Sequence, residues 1–136
     1  SVPYPPDATE GAGLVPLADG RLLRAGGTTD GTTPAESVIV DPTCTANCVP
    51  ENHPAGALPL LSVTASLGSE PALFVGVDED GATKGYLLRD DQWVEAPLRE
   101  ARLGASALVA PTGHLCVAGG KDADGTALTT IELLLP

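Results

Sequence analysis

The chain has 136 residues, with 18 acidic against 7 basic and a formal net charge of −11, a balance that disfavours nucleic acid and anionic membrane surfaces as partners. Hydrophobic residues make up 43% but aromatics only 3%, so a core has to be built from small and branched aliphatics, while 16 Gly and 13 Pro break long helices and favour many short strands. No window carries an apolar stripe at helical spacing and no apolar run is long enough to span a bilayer, which leaves an all-β chain without a membrane span.

Residues 1–10 carry Pro3, Pro5 and Pro6 and read as an extended lead-in, and the start at Ser1 without Met reads as a processed or trimmed product. Residues 11–17 and 21–25 form a hairpin about the turn Ala18-Asp19-Gly20, and Gly26-Gly27 ends its second strand. Ser37-Val38-Ile39-Val40 is a β-branched third strand, closed by Asp41-Pro42. Residues 43–56 then read as an irregular insertion. Residues 58–66 form the next apolar strand, 67–71 a turn and 72–77 a second Gly-ended strand with Val77 in the second glycine's place. Residues 85–88 and 91–95 complete that unit, the last with the single Trp93. A small-residue strand at 105–110, the apolar Leu115-Cys116-Val117-Ala118 before Gly119-Gly120, and a strand at 130–135 form a final meander.

An internal repeat organises these elements. Shifting the chain by 93 residues lays Gly20 through Gly27 under Gly113 through Gly120, and Gly11-Ala12 under Gly104-Ala105. Gly26 to Gly76 is 50 residues and Gly76 to Gly119 is 43, a period that belongs to radially repeated β-structure. The third copy, with Trp93, Ala96-Pro97-Leu98, Arg102, Gly113 and Gly119-Gly120 in order, resembles the kelch repeat family. The first copy matches through Asp19-Gly20 and Gly26-Gly27, and the second matches weakly. Departures are Ile39 and Ile131 where the family usually has an aromatic, and Thr9 where the third copy has Arg102.

The resemblance implies a β-propeller with about three four-stranded antiparallel blades: 9–57 with the insertion at 43–56, 58–98, and 99–136, all in one kelch-repeat region spanning 1–136. Propellers close with about 4 to 8 blades, so closure has to come from oligomerisation or from further chain. At the same offset the counterpart of Trp93 falls before Ser1, so one outer strand is lacking.

Cys44 and Cys48 sit four apart in a polar, Pro-rich loop with no second pair to complete a tetrahedral zinc site, which favours a small-loop disulfide and an oxidising compartment. Cys116 lies in an apolar strand and reads as a small buried hydrophobe. Acidic Gly loops recur at Asp30-Gly31, at Asp78, Asp80 and Gly81, and at Asp122, Asp124 and Gly125. Alternating carboxylates can present oxygens to Ca²⁺, but each loop lacks a closing acidic ligand, and Asp-Gly is ordinary hairpin chemistry. His53 and His114 have no second ligand at metal spacing. Some kelch propellers are copper oxidases using tyrosine, histidine and cysteine; Tyr4 and Tyr86 lie in unlike contexts and do not carry that activity over. No nucleophilic constellation stands out, and Arg99 and Arg102 read as partners for acidic loops of a neighbouring blade.

The expected function is a non-enzymatic, secreted, cell-surface or periplasmic scaffold that binds a protein partner or self-associates to complete the propeller, without cofactor. The alternative is a metal-dependent or carbohydrate-active propeller enzyme whose site is assembled across chains.

Overall fold

Alternation of small aliphatic and polar residues, broken every few residues by Gly, Pro or Asp-Gly, gives eleven short strands and no helix among the described residues. The computed structural model describes residues 9–68 and 71–134. The lead-in at 1–8, the centre of the 67–71 turn and Leu135 lie outside them. Strands β1 (Gly13–Pro16), β2 (Leu22–Ala25), β3 (Val38–Val40) and β4 (Glu51–Asn52) pair in sequence as one antiparallel sheet. Strands β5 (Ser62–Leu67), β6 (Ala72–Val77), β7 (Thr83–Arg89) and β8 (Gln92–Ala96) form a second, and β9 (Ser106–Val109), β10 (Leu115–Ala118) and β11 (Ile131–Leu134) a third of three strands.

Part of the expected insertion is structural. Glu51 pairs with Ile39 and Asn52 with Val38, and the His53 amide donates to the Ser37 carbonyl at 2.9 Å, so the segment after the cysteines returns as the outer strand of sheet 1. The expected strand at 58–66 starts late: Leu58 and Leu60 are fully buried side chains ahead of β5. A bulge between Val63 and Ala65 then turns these two residues to opposite faces of sheet 2.

The 93-residue shift holds at the level of single hydrogen bonds. Glu10 and Thr28 exchange two of 2.9 Å, as do Leu103 and Lys121; Ala35 N donates to Gly27 O, and Leu128 N to Gly120 O, again at 2.9 Å. In β11 the shift becomes 94, because Leu23 pairs with Ile39 whereas Cys116 pairs with Leu133. The counterpart of Ile39 is therefore Leu133, not Ile131. The second glycine of each pair has a local reason. Gly27 and Gly120 have φ of +78° and +83°, and a Cβ at either would stand 2.6 Å from the Glu10 carbonyl oxygen or 2.9 Å from that of Leu103. The middle copy breaks this pattern: Gly76 stays in an extended strand, with the Ser62 carbonyl where its Cβ would be, and β6 runs on through Val77.

The sheets stack face on face, with the first strands β1, β5 and β9 nearest one another. On one face of sheet 1, Val15, Leu23, Ala25 and Ile39 meet Ala72 and Phe74 of sheet 2. The other face of sheet 2, with Leu73, Val75 and Leu87, meets Leu115 and Val117 of sheet 3. Sheets 1 and 2 thus turn a forward face to the next sheet, sheets 2 and 3 turn a back face to the one before, and the remaining faces of sheets 1 and 3 are named in the same sense. Strand β6 serves both interfaces through its two-residue alternation, and burying each of its larger side chains contributes about 1.5–3 kcal/mol.

The expected disulfide is present: Cys44 and Cys48 are bonded, with Cα atoms 6.0 Å apart, in the connection between β3 and β4. Cys48 is buried and Val49 beside it is exposed. For so short a loop, chain entropy sets the contribution at about 2 kcal/mol. Calorimetry of the Cys44→Ser, Cys48→Ser variant should show a loss of that size with the fold retained.

Candidate functional site

Turn chemistry brings titratable side chains together at the rim where sheets 1 and 2 meet. The β1–β2 hairpin places Asp19 and Arg21, β4 places Glu51, the residue after β4 is His53, the end of β7 supplies Arg89, and the β7–β8 turn supplies Asp90 and Asp91. Asp90 and Asp91 both adopt left-handed φ, 49° and 58°, the conformation of a tight two-residue hairpin turn. These residues line a cleft of about 800 Å³, floored by Leu17, Ile39, Ala72 and Leu88.

Arg21 lies 2.8 Å from Asp19 Oδ2 and 3.1 Å from Glu51 Oε2. Hydrogen bonds from the Arg21 side chain and amide hold the Asp19 carboxyl below its ordinary range. His53 is buried, and its Nδ1 accepts the Ala55 amide proton at 3.1 Å. That bond puts the imidazole proton on Nε2, which lies 3.6 Å from Asp91 Oδ1. Trp93, half-buried in β8, donates to the Gly56 carbonyl at 3.1 Å and meets Phe74 edge-on at 5.4 Å. It ties the outer strand of sheet 2 to the segment that follows β4.

The acidic Gly loops lie between the second and third strands of each sheet and are built as turns. Asp78 Oδ1 accepts the amides of Asp80 and Ala82, both at 2.9 Å, and Asp122 Oδ1 accepts those of Asp124 and Thr126, both at 2.9 Å. Burial acts to raise the Asp78 carboxyl, but Lys84, 3.0 Å from Oδ2, and the two amides outweigh it and leave the group lowered. The amides of Thr32 and Thr33 hold Asp30 well below the usual carboxylate range. Among the described residues no three His, Cys, Asp or Glu side chains gather as a metal-binding group. The first carboxylate of each Asp-x-Asp-Gly loop is committed to its own turn.

Arg102 departs from the surface role expected of it. Its side chain is fully buried and uses all five donors inside its own sheet. Nε donates to Glu132 Oε2 at 2.6 Å, Nη1 to the carbonyls of Gly119 and Thr130 at 3.0 and 2.9 Å, and Nη2 to Thr130 Oγ1 and Glu100 Oε2 at 2.6 and 3.2 Å. Glu132 also accepts the Arg99 amide. This cluster anchors β11 to the chain that precedes β9. Burial acts to raise the Glu132 carboxyl, but Arg102 and that amide hold it below its ordinary value of 4.5. A carboxyl whose folded pKa is depressed adds stability that is fully present above the unfolded value and lost as pH falls through the folded one. Glu132→Gln should therefore shrink the fall in Tm between neutral pH and about pH 3.

The forward face of sheet 3 carries Leu108, Cys116 and Leu133 in one row and Ser106, Ala118 and Ile131 in the next. Leu108, Ile131 and Leu133 are 53%, 64% and 63% exposed, whereas Cys116 between Leu108 and Leu133 is a buried free thiol, as its apolar strand suggested. Among the described residues no strand pairs with the outer edge of β11.

These features define an all-β protein of stacked antiparallel meanders with an apolar sheet face at its end and a charged cleft at its rim. No family model and no curated protein matches the chain. It is similar to the solved structure of YjhT, with a TM-score of 0.64 and 17% identity, over 95% of this chain. The chain spans 43% of that one. Among the described residues no helix is long and apolar enough to cross a membrane.

Proposed function

We propose that this chain is a segment of a kelch-type β-propeller that works outside the cytoplasm as a protein-binding or assembly scaffold. The observation that carries the reading is the apolar forward face of sheet 3, which no sheet covers among the described residues, on a stack whose other forward faces are covered. The repeat at single-hydrogen-bond resolution supports radial continuation of the stack. The Cys44–Cys48 disulfide supports a secreted, cell-surface or periplasmic setting. Rim loops, including the cysteine connection with its exposed Val49, offer further contacts to a partner.

The charged cleft favours a second reading, a metal-dependent or carbohydrate-active propeller enzyme whose site is completed by another chain. Elemental analysis of the purified protein separates the two. The scaffold reading expects every transition metal well below one per chain, and a stoichiometric metal would replace it with the enzyme.

A further inference from the structure

We infer that the rim cleft between sheets 1 and 2 seats a lysine residue of a protein partner, its ammonium on Asp90 and Asp91 and its backbone carbonyl on His53. This rests on the scaffold reading and names the partner chemistry that one rim selects. The cleft lies between two sheets that pack on each other, with Leu17 and Ile39 of the first and Ala72 and Leu88 of the second as its floor. On its wall the His53 side chain is only 7% exposed, and because Nδ1 accepts the Ala55 amide the ring proton sits on Nε2. Asp91 Oδ1, 3.6 Å from Nε2, is beyond hydrogen-bond length. A nearly buried donor on a cleft wall without an acceptor at bonding distance is a place for an acceptor atom of a ligand, such as a carbonyl oxygen.

The carboxylates of the cleft divide into a committed pair and an open one. Arg21 engages both Asp19 and Glu51, whereas Asp90 makes no hydrogen bond or ion pair among the described residues and Asp91 has only the long approach to His53. Arg89, the second guanidinium of the lining, pairs with none of the four among the described residues and also borders a separate groove with Leu87 and Val94. Four carboxylates against two guanidiniums leave an excess that favours a cation. The floor is aliphatic and the lining holds no Phe, Tyr or Trp, which suits an alkyl ammonium better than a quaternary ammonium that needs aromatic faces. Lysine carries the carbonyl, the four-carbon stem and the compact ammonium together. The turn itself favours other residues: Asp90 and Asp91 hold left-handed φ of 49° and 58°, where Asn-Gly is the ordinary pair.

The test titrates the intact chain with N-acetyl-lysine N-methylamide and follows the amide signals of His53 and Asp91 and the Trp93 indole by NMR. Because the open carboxylates are exposed, a dissociation constant of about 1–5 mM is expected. The norleucine analogue, which lacks the ammonium, should bind about 5-fold more weakly or worse, and n-pentylamine, which lacks the carbonyl, about 3-fold more weakly. The double variant Asp90→Asn, Asp91→Gly should lose the response while its Tm equals or exceeds the parent's, since it keeps the turn and removes only the charge. His53→Asn, whose Oδ1 can accept the Ala55 amide as Nδ1 does, should weaken binding of the lysine probe about 3- to 10-fold and leave that of n-pentylamine unchanged. Silence of all three signals up to ~20 mM probe overturns the inference, as does a norleucine analogue that binds as well as lysine or a double variant that binds as the parent does. If n-pentylamine binds as tightly as the lysine probe, the cleft takes free amines and the assignment to a protein partner falls. Failure of the probe in metal-free protein leaves the scaffold reading standing on its other contacts; a stoichiometric metal removes that reading whether or not the probe binds.

Discussion

Arg102→Met is expected to cost about 3–5 kcal/mol of folding free energy, measured by urea denaturation of the chain. An ion pair at the surface contributes about 0–1 kcal/mol, so burial decides the size of the effect. Here the Arg102 side chain is 0% exposed and that of Glu132 9%, and the guanidinium is the carboxylate's charge partner. Removing it leaves a buried carboxylate without its charge partner and takes the guanidinium donors from the Gly119 and Thr130 carbonyls, of which Thr130 keeps only the Gly119 amide at 3.4 Å. Met is close to Arg in length and apolar, so lost volume is a minor part of the penalty. The double variant Arg102→Met, Glu132→Met should recover a large part of the loss, since a buried pair can be exchanged for apolar side chains at little net cost. A single-variant loss under about 1 kcal/mol would mean that water reaches Glu132 and that the cluster does not anchor β11.

The same cluster shows where sequence reading runs out. Arg102 and Glu132 are 30 residues apart and meet only because β10 and β11 pair in a particular register. The sequence of the first copy offered no help, with Thr9 in place of Arg102 and Val38, by register, in place of Glu132. That register also hid the one-residue shift in β11, which moves the counterpart of Ile39 from Ile131 to Leu133. Strand β4 was illegible for another reason. Its two residues, Glu51 and Asn52, are exposed and carry no alternation; only their pairing with β3 makes them a strand. By contrast β6 and β10 were readable to the residue, because each is an apolar run bounded by turn or glycine signals. The disulfide was readable from spacing alone. The charged cleft was not, since Asp19, Glu51, His53 and Asp91 come from three turns and a strand end that converge only in the stack. The acidic loops gave a visible signal, and their geometry assigns the leading carboxylates to turn amides.

Phe74→Ala should cost about 3–5 kcal/mol and act on one interface of the stack rather than on both. Phe74 is the only phenylalanine in the chain and is 0% exposed. It fills the space between sheets 1 and 2 together with Val15, Leu23 and Ile39, and its ring is close enough that a Cβ on Gly13 would lie 2.9 Å from it. Gly13, the residue that faces the ring, has no side chain to move into the cavity. Part of the loss comes from the edge-on contact with Trp93, and such pairs contribute about 0.5–1.5 kcal/mol beyond area burial. Trp93 is the single tryptophan, so its fluorescence reports this interface directly. The variant should shift the emission and lower the urea midpoint. Leu73→Ala, one residue away on the opposite face of β6, should lower the midpoint with a smaller change in emission, because it opens the interface between sheets 2 and 3. Equal spectral changes in the two variants would mean that the two cores yield as one. The distinct changes expected here follow from a strand that separates two independent layers by the alternation of its side chains.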